Sequence, residues 1–172
     1  YADTLVEDTF QKISTGGRTV PAEAAVALNL WMHVVHLLHE TLRLCKKKEL
    51  RNDDGVHSMD VAVAYWIGDG QVAGDGERGH LLYAFAEQMG DIFNMDDGGQ
   101  SRTNTNILRL FNEAKNEISL PGACSESPAS FIRLRRIVNN LESQMTIPLI
   151  QGLIHHLRMN NRDRVKVYAH AV

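Results

Sequence analysis

AEAAVALNLWMHVVHLLHETLRLC (residues 22–45) is the longest apolar-rich stretch of the chain that contains neither glycine nor proline. Its length predicts a helix of about six turns. Apolar side chains point in almost every direction around this helix, so we expect it to be buried at the centre of the fold. A polar strip about 80° wide holds Asn29, His33, His36, Glu40 and Arg43, and His39 borders it.

The polar strip has two interpretations. The first is an edge that faces water, which is the usual place for polar side chains on a buried helix. The second is a functional cleft, because imidazole is a common metal ligand and proton carrier. Residues three and four apart on a helix share one face, so His33 with His36, and His36 with Glu40, can share a metal ion. The order differs from the HExxH motif, because Glu40 follows the last histidine.

The remaining helices follow from apolar spacing and from glycine and proline breakers. The segment MDVAVAYWI also has the β-branched and aromatic residues of a strand, but no hairpin partner lies nearby, which favours a helix. Pro148 removes a hydrogen-bond donor inside the longest of these helices, so we expect a kink or break near residues 144–147. The helices predicted outside the central one are 1–13, 59–67, 80–93, 103–120, 129–159 and 165–172.

These segments predict an all-α fold, a compact bundle of about six or seven helices with one buried central helix and a proline-kinked C-terminal helix. The absence of strand–helix alternation excludes a doubly wound α/β fold. The chain begins at Tyr1 rather than methionine, and it ends inside a predicted helix without a stop signal. We therefore expect residues 1–172 to form a single helical domain that is one segment or repeat of a longer protein.

The composition is that of an ordinary globular domain. The chain has 172 residues, of which 44% are hydrophobic and 23% charged, enough for one hydrophobic core. A net charge of −3 provides no basic surface for nucleic acid. No run of about 18 apolar residues is free of charge and histidine. We therefore expect no nucleic-acid partner and no membrane contact by this segment.

Cys45 and Cys124 are the two cysteines of the chain. They are compatible with one disulfide in an oxidising compartment or with two buried thiols. Neither belongs to a CxxC pair, which argues against a zinc or iron–sulfur site.

A glycine-rich loop, GDGQVAGDGERG (residues 68–79), follows the predicted helix 59–67. It has neither the GK[ST] of a phosphate loop nor the spacing of a calcium-binding EF-hand. It is either a solvated turn or a site where backbone amides and carboxylates bind an ion. Tyr65 and Tyr83 flank the loop, and each either packs in the core or offers a hard phenolate oxygen to ferric iron.

Three segments together resemble a known family over roughly half of the chain. VAVAYWIGDG (residues 61–70), HLLYAFAEQMGDIF (80–93) and NNLESQMTIPLIQGLIHHLR (139–158) are similar to stretches of the algal low-iron-inducible periplasmic proteins, the Fea family that includes the diatom phytotransferrins. The resemblance implies a periplasmic or surface protein of an alga or related protist, built of repeated domains, that binds ferric iron with carbonate. The positions that match are Tyr65, Gly68, Gly70, Tyr83, Glu87 and residues 148–152.

The first functional hypothesis is therefore an extracytoplasmic iron-binding module, whose partners are a metal ion and further domains of the same chain. Its site would draw on hard oxygen and imidazole ligands, and an anion such as carbonate would be held by a guanidinium or by loop amides. The predicted metal ligands are His33, His36, Glu40, Tyr65 and Tyr83, and the predicted anion-binding residues are Arg43, Gly68 and Gly70.

The second hypothesis is a non-catalytic structural or adhesive repeat of a surface protein, in which the histidine strip is an exposed edge and no metal binds. A third, a metalloenzyme or hydrolase that uses the same histidines, needs an open coordination position and a general base. The sequence contains no motif for either, and we therefore expect no enzyme activity.

Overall fold

The computed structural model describes residues 2–11, 19–50, 54–71, 79, 81–125 and 128–172. Within these ranges the chain forms one short β-hairpin and seven separate helices, one of which consists of three consecutive helical segments. The predicted all-α class is therefore confirmed. The elements in chain order are α1 (Ala2–Gln11), α2 (Thr19–Ala24), a π-helical segment (Ala25–Leu30), α3 (Trp31–Lys47), α4 (Asp54–Ile67), α5 (Leu82–Ile92), β1 (Asp96–Asp97), β2 (Gln100–Ser101), α6 (Arg102–Ile118), α7 (Pro128–Arg158) and α8 (Arg162–Ala171).

The predicted central helix is present and is longer than expected at its N-terminus. Helix α2, the π segment and α3 run on without a break over residues 19–47, because Ala24 and Trp31 at the two junctions keep right-handed helical backbone angles. Val34 and Leu38 of α3 have no exposed surface. The helix ends where Lys48 adopts a left-handed conformation with φ 63°, after lysines that suit the negative end of the helix dipole.

Two groups of buried apolar side chains hold the helices together. The main core lies between α3, α4, α5, α6 and α7, and Trp66, Tyr83 and Met59 are among its fully buried members. A second, smaller cluster joins α1, α2 and the π segment to α7 and α8. Its buried members are Val6, Ala24, Ala27, Leu28, Leu149, Val167, Tyr168 and Ala171.

The long helix α7 contains Pro148 and continues through it, unbroken, for 31 residues. Pro148 has no N–H to donate to the carbonyl of Gln144. Pro148 itself is buried, and Leu149 and Met145 beside it have no exposed surface. The break predicted near residues 144–147 is therefore absent, and burial of Met145, Pro148 and Leu149 stabilises this part of the helix despite the missing hydrogen bond.

Two local features differ from the predictions. Helix α4 begins at Asp54, five residues before the predicted start at residue 59. The segment NMDDGGQS (residues 94–101), which lies between the predicted helices 80–93 and 103–120, contains an antiparallel hairpin that pairs Asp96 with Ser101. Gly98 and Gly99 at its tip both have positive φ, 65° and 86°, as a two-residue hairpin turn requires.

Candidate functional site

The histidine strip of α3 meets α4 at the surface of the molecule. The ring of His33 lies edge-on to the ring of Tyr65, with centroids 4.9 Å apart and an interplanar angle of 84°. His33 is exposed, and Tyr65 keeps 40% of its surface exposed. The structure thus brings together an imidazole and a phenol that the sequence predicts as metal ligands, from two different helices.

His36 lies on the same face of α3, three residues beyond His33, and is also exposed. His39, which borders the strip, contacts α7 instead, since its Nε2 lies 2.6 Å from Glu142 Oε1. His33 and His36 are therefore the exposed imidazoles of the strip itself, and the contact with Tyr65 is made by His33.

Glu40 and Arg43, a predicted metal ligand and a predicted anion-binding residue, are bonded to each other. Arg43 donates from Nε to Glu40 Oε2 at 2.6 Å, and its Nη2 donates to the second carboxylate oxygen. This hydrogen bonding lowers the pKa of Glu40, with a smaller contribution from the charges of Arg43 and His36, and it raises the pKa of Arg43. Each group therefore already has the partner that a metal or an anion would otherwise supply.

Tyr83, the fifth predicted metal ligand, lies in a different environment from the exposed histidines. Its side chain has no exposed surface and belongs to the main core. Its hydroxyl accepts a hydrogen bond from Gln100 Nε2 at 3.1 Å. A phenol in such surroundings is costly to ionise. The hydroxyl of Tyr83 already has a hydrogen-bond partner, Gln100 of β2.

The two predicted anion-binding glycines follow helix α4, which ends at Ile67. The amide of Gly68 donates to the carbonyl of Ala64 at 2.8 Å, and its φ of 86° is the left-handed conformation of a helix C-terminus. A side chain at Gly68 would meet Leu81 Cδ1 at 2.9 Å. Gly70 also has a positive φ, 73°, and among the described residues no atom lies within 4 Å of a Cβ placed there. The amide of Gly68 therefore belongs to the helix, while Gly70 lies in an open turn.

Three of the predicted metal ligands, His33, His36 and Glu40, do not form a metal-binding group. In the ranges that the structure describes, no three side chains of histidine, cysteine, aspartate or glutamate are grouped so as to hold a metal ion. His33, His36 and Tyr65 supply two nitrogen donors and one oxygen donor at the surface. Ferric iron, a hard ion, would need further oxygen donors from an anion, from water or from a rearranged Glu40.

A buried polar network around Glu87 was not foreseen from the residues themselves. Glu87 Oε2 accepts from the amide of Ser101 at 2.8 Å, and its Oε1 accepts from Asn104 Nδ2 at 2.6 Å. Asn104 Nδ2 also donates to the carbonyl of Tyr83, and Asn104 Oδ1 accepts from Trp66 Nε1 at 3.0 Å. The network joins α4, α5 and α6. The sequence feature that could have indicated this network is Asn104, a polar residue among the buried positions of α6.

Cys45 and Cys124, the predicted disulfide candidates, are bonded to each other, with Cα atoms 5.1 Å apart. Both are buried, at 1% and 6% exposure. The bond fastens the C-terminal end of α3 to the loop between α6 and α7. With only two cysteines the partner is unique, but their meeting depends on how α3 packs against α7 and on where the loop between α6 and α7 lies.

No protein-family model, curated protein or solved structure matches the chain. Among the helices that the structure describes, none combines the length and apolar character needed to cross a membrane. The fold and the site define the class of the protein as an all-α domain cross-linked by one disulfide, with His33 of α3 and Tyr65 of α4 in contact at its surface.

Proposed function

We propose that this chain is an extracytoplasmic iron-assimilation module of an alga or related protist, which binds ferric iron through His33, His36 and Tyr65. The observation that carries the proposal is the contact of His33 with Tyr65 across α3 and α4. A phenolate is a hard oxygen ligand, and an imidazole is a ligand that iron also accepts. The three residues are exposed, so they can bind an ion without first opening the core.

An anionic co-ligand would complete the coordination. Carbonate is the anion that the family resemblance suggests, and Arg43 is the cation within the strip. For Arg43 to hold the anion, its hydrogen bonds to Glu40 must exchange for bonds to carbonate, which also frees the Glu40 carboxylate as an oxygen ligand. Tyr83 and Gly68 are not in this ligand set, since the hydroxyl of one and the amide of the other are already used inside the fold.

The disulfide supports the extracytoplasmic part of the proposal. Disulfides form and persist in oxidising compartments and are rare where cellular thiols keep cysteines reduced. The bond between Cys45 and Cys124 is buried and joins two distant parts of the chain, as expected of a structural disulfide. Further domains of the same chain remain proposed partners.

A second candidate is a non-catalytic structural module without a metal. It is favoured by the mutual bonding of Glu40 and Arg43, which leaves the strip without a free carboxylate. The buried network around Glu87 likewise uses its polar groups to join helices rather than to line an open site.

Metal binding separates the two candidates. Ferric iron is added to the metal-free protein with and without bicarbonate, and bound iron, visible absorbance and the thermal midpoint are measured. At a hundredfold excess over the dissociation constant, binding stabilises the folded state by about 2.7 kcal/mol. We expect stoichiometric iron with an absorbance band from phenolate coordination, and we expect Tyr65→Phe to abolish the band.

The control for the histidines is His57→Ala, which removes an exposed histidine of α4 that is not a proposed ligand. We expect His33→Ala to weaken iron binding and His57→Ala to leave it unchanged. If the wild type binds no iron with or without bicarbonate, the structural candidate replaces the iron-binding one.

A further inference from the structure

A groove of about 540 Å³ lies between the C-terminal part of α6 and the N-terminal part of α7. The two helices are antiparallel, because Arg133 bonds Glu117 and, further along both helices, Asn106 bonds Gln144. The volume of the groove falls within the range of small-molecule sites. The groove shares no residue with the proposed iron site, so its function is independent of that proposal.

The groups that line this groove are open to solvent. Leu120, which follows the end of α6, keeps 50% of its surface exposed. Arg136 and Asn140 of α7 are exposed as well, and Ile137 between them is half-buried. A ligand can therefore contact each of these side chains without displacing a buried one.

Both carboxylates that line the groove already have partners. Arg133 donates from Nε and Nη2 to the two oxygens of Glu117, each at 2.8 Å. Hydrogen bonding from Arg133 lowers the pKa of Glu117, so the carboxylate stays charged and keeps the guanidinium engaged. Glu113 pairs with Arg109. Neither carboxylate is therefore a free partner for a further cation.

Arg136 is the charged side chain of the lining that is left over. In the part of the chain that the structure describes, no carboxylate lies within ion-pair distance of Arg136. A guanidinium is always charged in proteins, and its planar fork matches a carboxylate with two parallel hydrogen bonds. Asn140, one turn further along α7, lines the groove with an amide that also donates.

The balance of charge favours an anion with a single negative charge. One unpaired guanidinium balances one carboxylate, and the charges of Glu113 and Glu117 in the same lining oppose a second negative charge. A carboxylate fits this balance better than a phosphate dianion does.

The same groove also has an apolar part. Ile137 lies next to Arg136 in the chain, and Leu120 lines the groove from the other helix. Covering exposed apolar surface with an apolar ligand removes that surface from water and is favourable. An alkyl body attached to the carboxylate would cover these two side chains.

From the open groove, the unpaired Arg136 and the apolar side chains beside it, we propose that this site binds a small organic monocarboxylate with an apolar body. The carboxylate accepts hydrogen bonds from Arg136 and Asn140, and the apolar body lies on Ile137 and Leu120.

The test uses three probes: hexanoate, 1-hexanol, which has the chain without the charge, and acetate, which has the charge without the chain. NMR titrations of the full 172-residue chain measure the three affinities. We expect hexanoate to bind saturably at millimolar concentrations and at least about fivefold more tightly than either relative, since an exposed ion pair contributes up to about that factor. The shifted signals should be the methyl groups of Leu120 and Ile137 and the side-chain amide of Asn140.

Two variants of adjacent residues separate a site from general attraction. Arg136→Gln should reduce the affinity for hexanoate to that for hexanol. Arg135→Gln removes an equally exposed arginine that does not line the groove, and it should leave the affinity unchanged. Leu120→Ser should weaken hexanoate binding and leave acetate binding as it is. All three positions are exposed, so none of the changes disturbs the core.

Three outcomes would overturn the proposal. The first is a wild type in which hexanoate causes no saturable shifts at these groups. The second is hexanol that binds as tightly as hexanoate. The third is an equal loss of hexanoate affinity in Arg135→Gln and Arg136→Gln, which would show attraction to the charge of the helix rather than binding in the groove.

Discussion

Glu87 accepts a hydrogen bond from the backbone amide of Ser101, so a carboxylate from α5 caps the first turn of α6. Ser101 occupies the N-cap position, but its own hydroxyl makes no capping bond. In a capping box the carboxylate that bonds the N-cap amide comes from the same helix. Here it comes from a different helix, and the positive end of the α6 dipole lies against a buried negative charge. The contact therefore fastens two helices and caps one of them at the same time.

Replacing Glu87 by leucine should strongly destabilise the fold. The change leaves the Ser101 amide and one bond of Asn104 Nδ2 without an acceptor in a buried place. We expect the free energy of unfolding, measured by urea titration, to fall by about 2–3 kcal/mol. Glu87→Gln keeps one acceptor oxygen and should lose less.

The matched control for Glu87 is Glu113→Leu, which removes an exposed carboxylate bonded to Arg109 on the surface. Such pairs contribute about 0.5 kcal/mol. Equal losses in the Glu87 and Glu113 variants would mean that the buried cap contributes nothing beyond a surface pair.

Gly90 allows α5 to approach the hairpin closely. A side chain at this position would bring its Cβ to 2.7 Å from Ser101 Cβ. We expect Gly90→Ala to lower the free energy of unfolding by about 1–3 kcal/mol, the usual effect of overpacking. The double variant Gly90→Ala with Ser101→Gly removes the clashing atom and should recover part of the loss, which a double-mutant cycle in urea measures. Strictly additive losses would show that the close approach is not the cause.

The disulfide should account for much of the stability. Cys45 and Cys124 are 79 residues apart, and closing a loop of this length in the unfolded chain corresponds to about 4 kcal/mol. We expect dithiothreitol to lower the urea midpoint of the wild type accordingly. The double variant Cys45→Ala with Cys124→Ala should match the reduced wild type and should not respond to dithiothreitol. A wild type whose midpoint is the same in both redox states would refute this expectation.

His156 should make stability depend on pH in the acid range. Its pKa is lowered to about 4 in the folded protein, chiefly by burial, from a usual value of 6.5. Between these values the unfolded chain binds more protons, so the contribution of His156 is complete above pH 6.5 and is lost as pH falls towards 4. We expect His156→Gln to reduce the slope of unfolding free energy against pH in this window. His57→Gln, at an exposed position, should leave the slope as it is in the wild type.

The helices were predictable because their signals are local. Apolar residues spaced three and four positions apart located α1, the continuous helix of residues 19–47 and α4 to α8 to within five residues at each end. Proline and glycine marked most of the helix ends. The hairpin at Asp96–Ser101 was missed because two-residue strands have no periodicity to detect. The π segment was missed as well, because nothing in AVALNL distinguishes π from α hydrogen bonding.

The candidate sites were predictable only in part. The spacing of His33 and His36 placed them on one helix face, and their exposure agrees with the first interpretation of the strip as an edge facing water. The neighbour of His33 is Tyr65, a contact between two helices that no spacing rule supplies. Tyr83 also flanks the glycine loop in sequence, but its side chain is buried in the core, because it lies on the face of α5 that packs against α6.

The sequence by itself determined that this protein is helical, where its helices lie, and which two cysteines can pair, since these depend on side chains a few positions apart or on there being only two thiols. The tertiary structure decided which polar groups meet: Glu87 with Ser101, Glu23 with Arg164, and His33 with Tyr65. The physical reason is that each pair joins separate elements. Its geometry is set by how the helices pack around the two buried clusters, and not by any pattern along the chain.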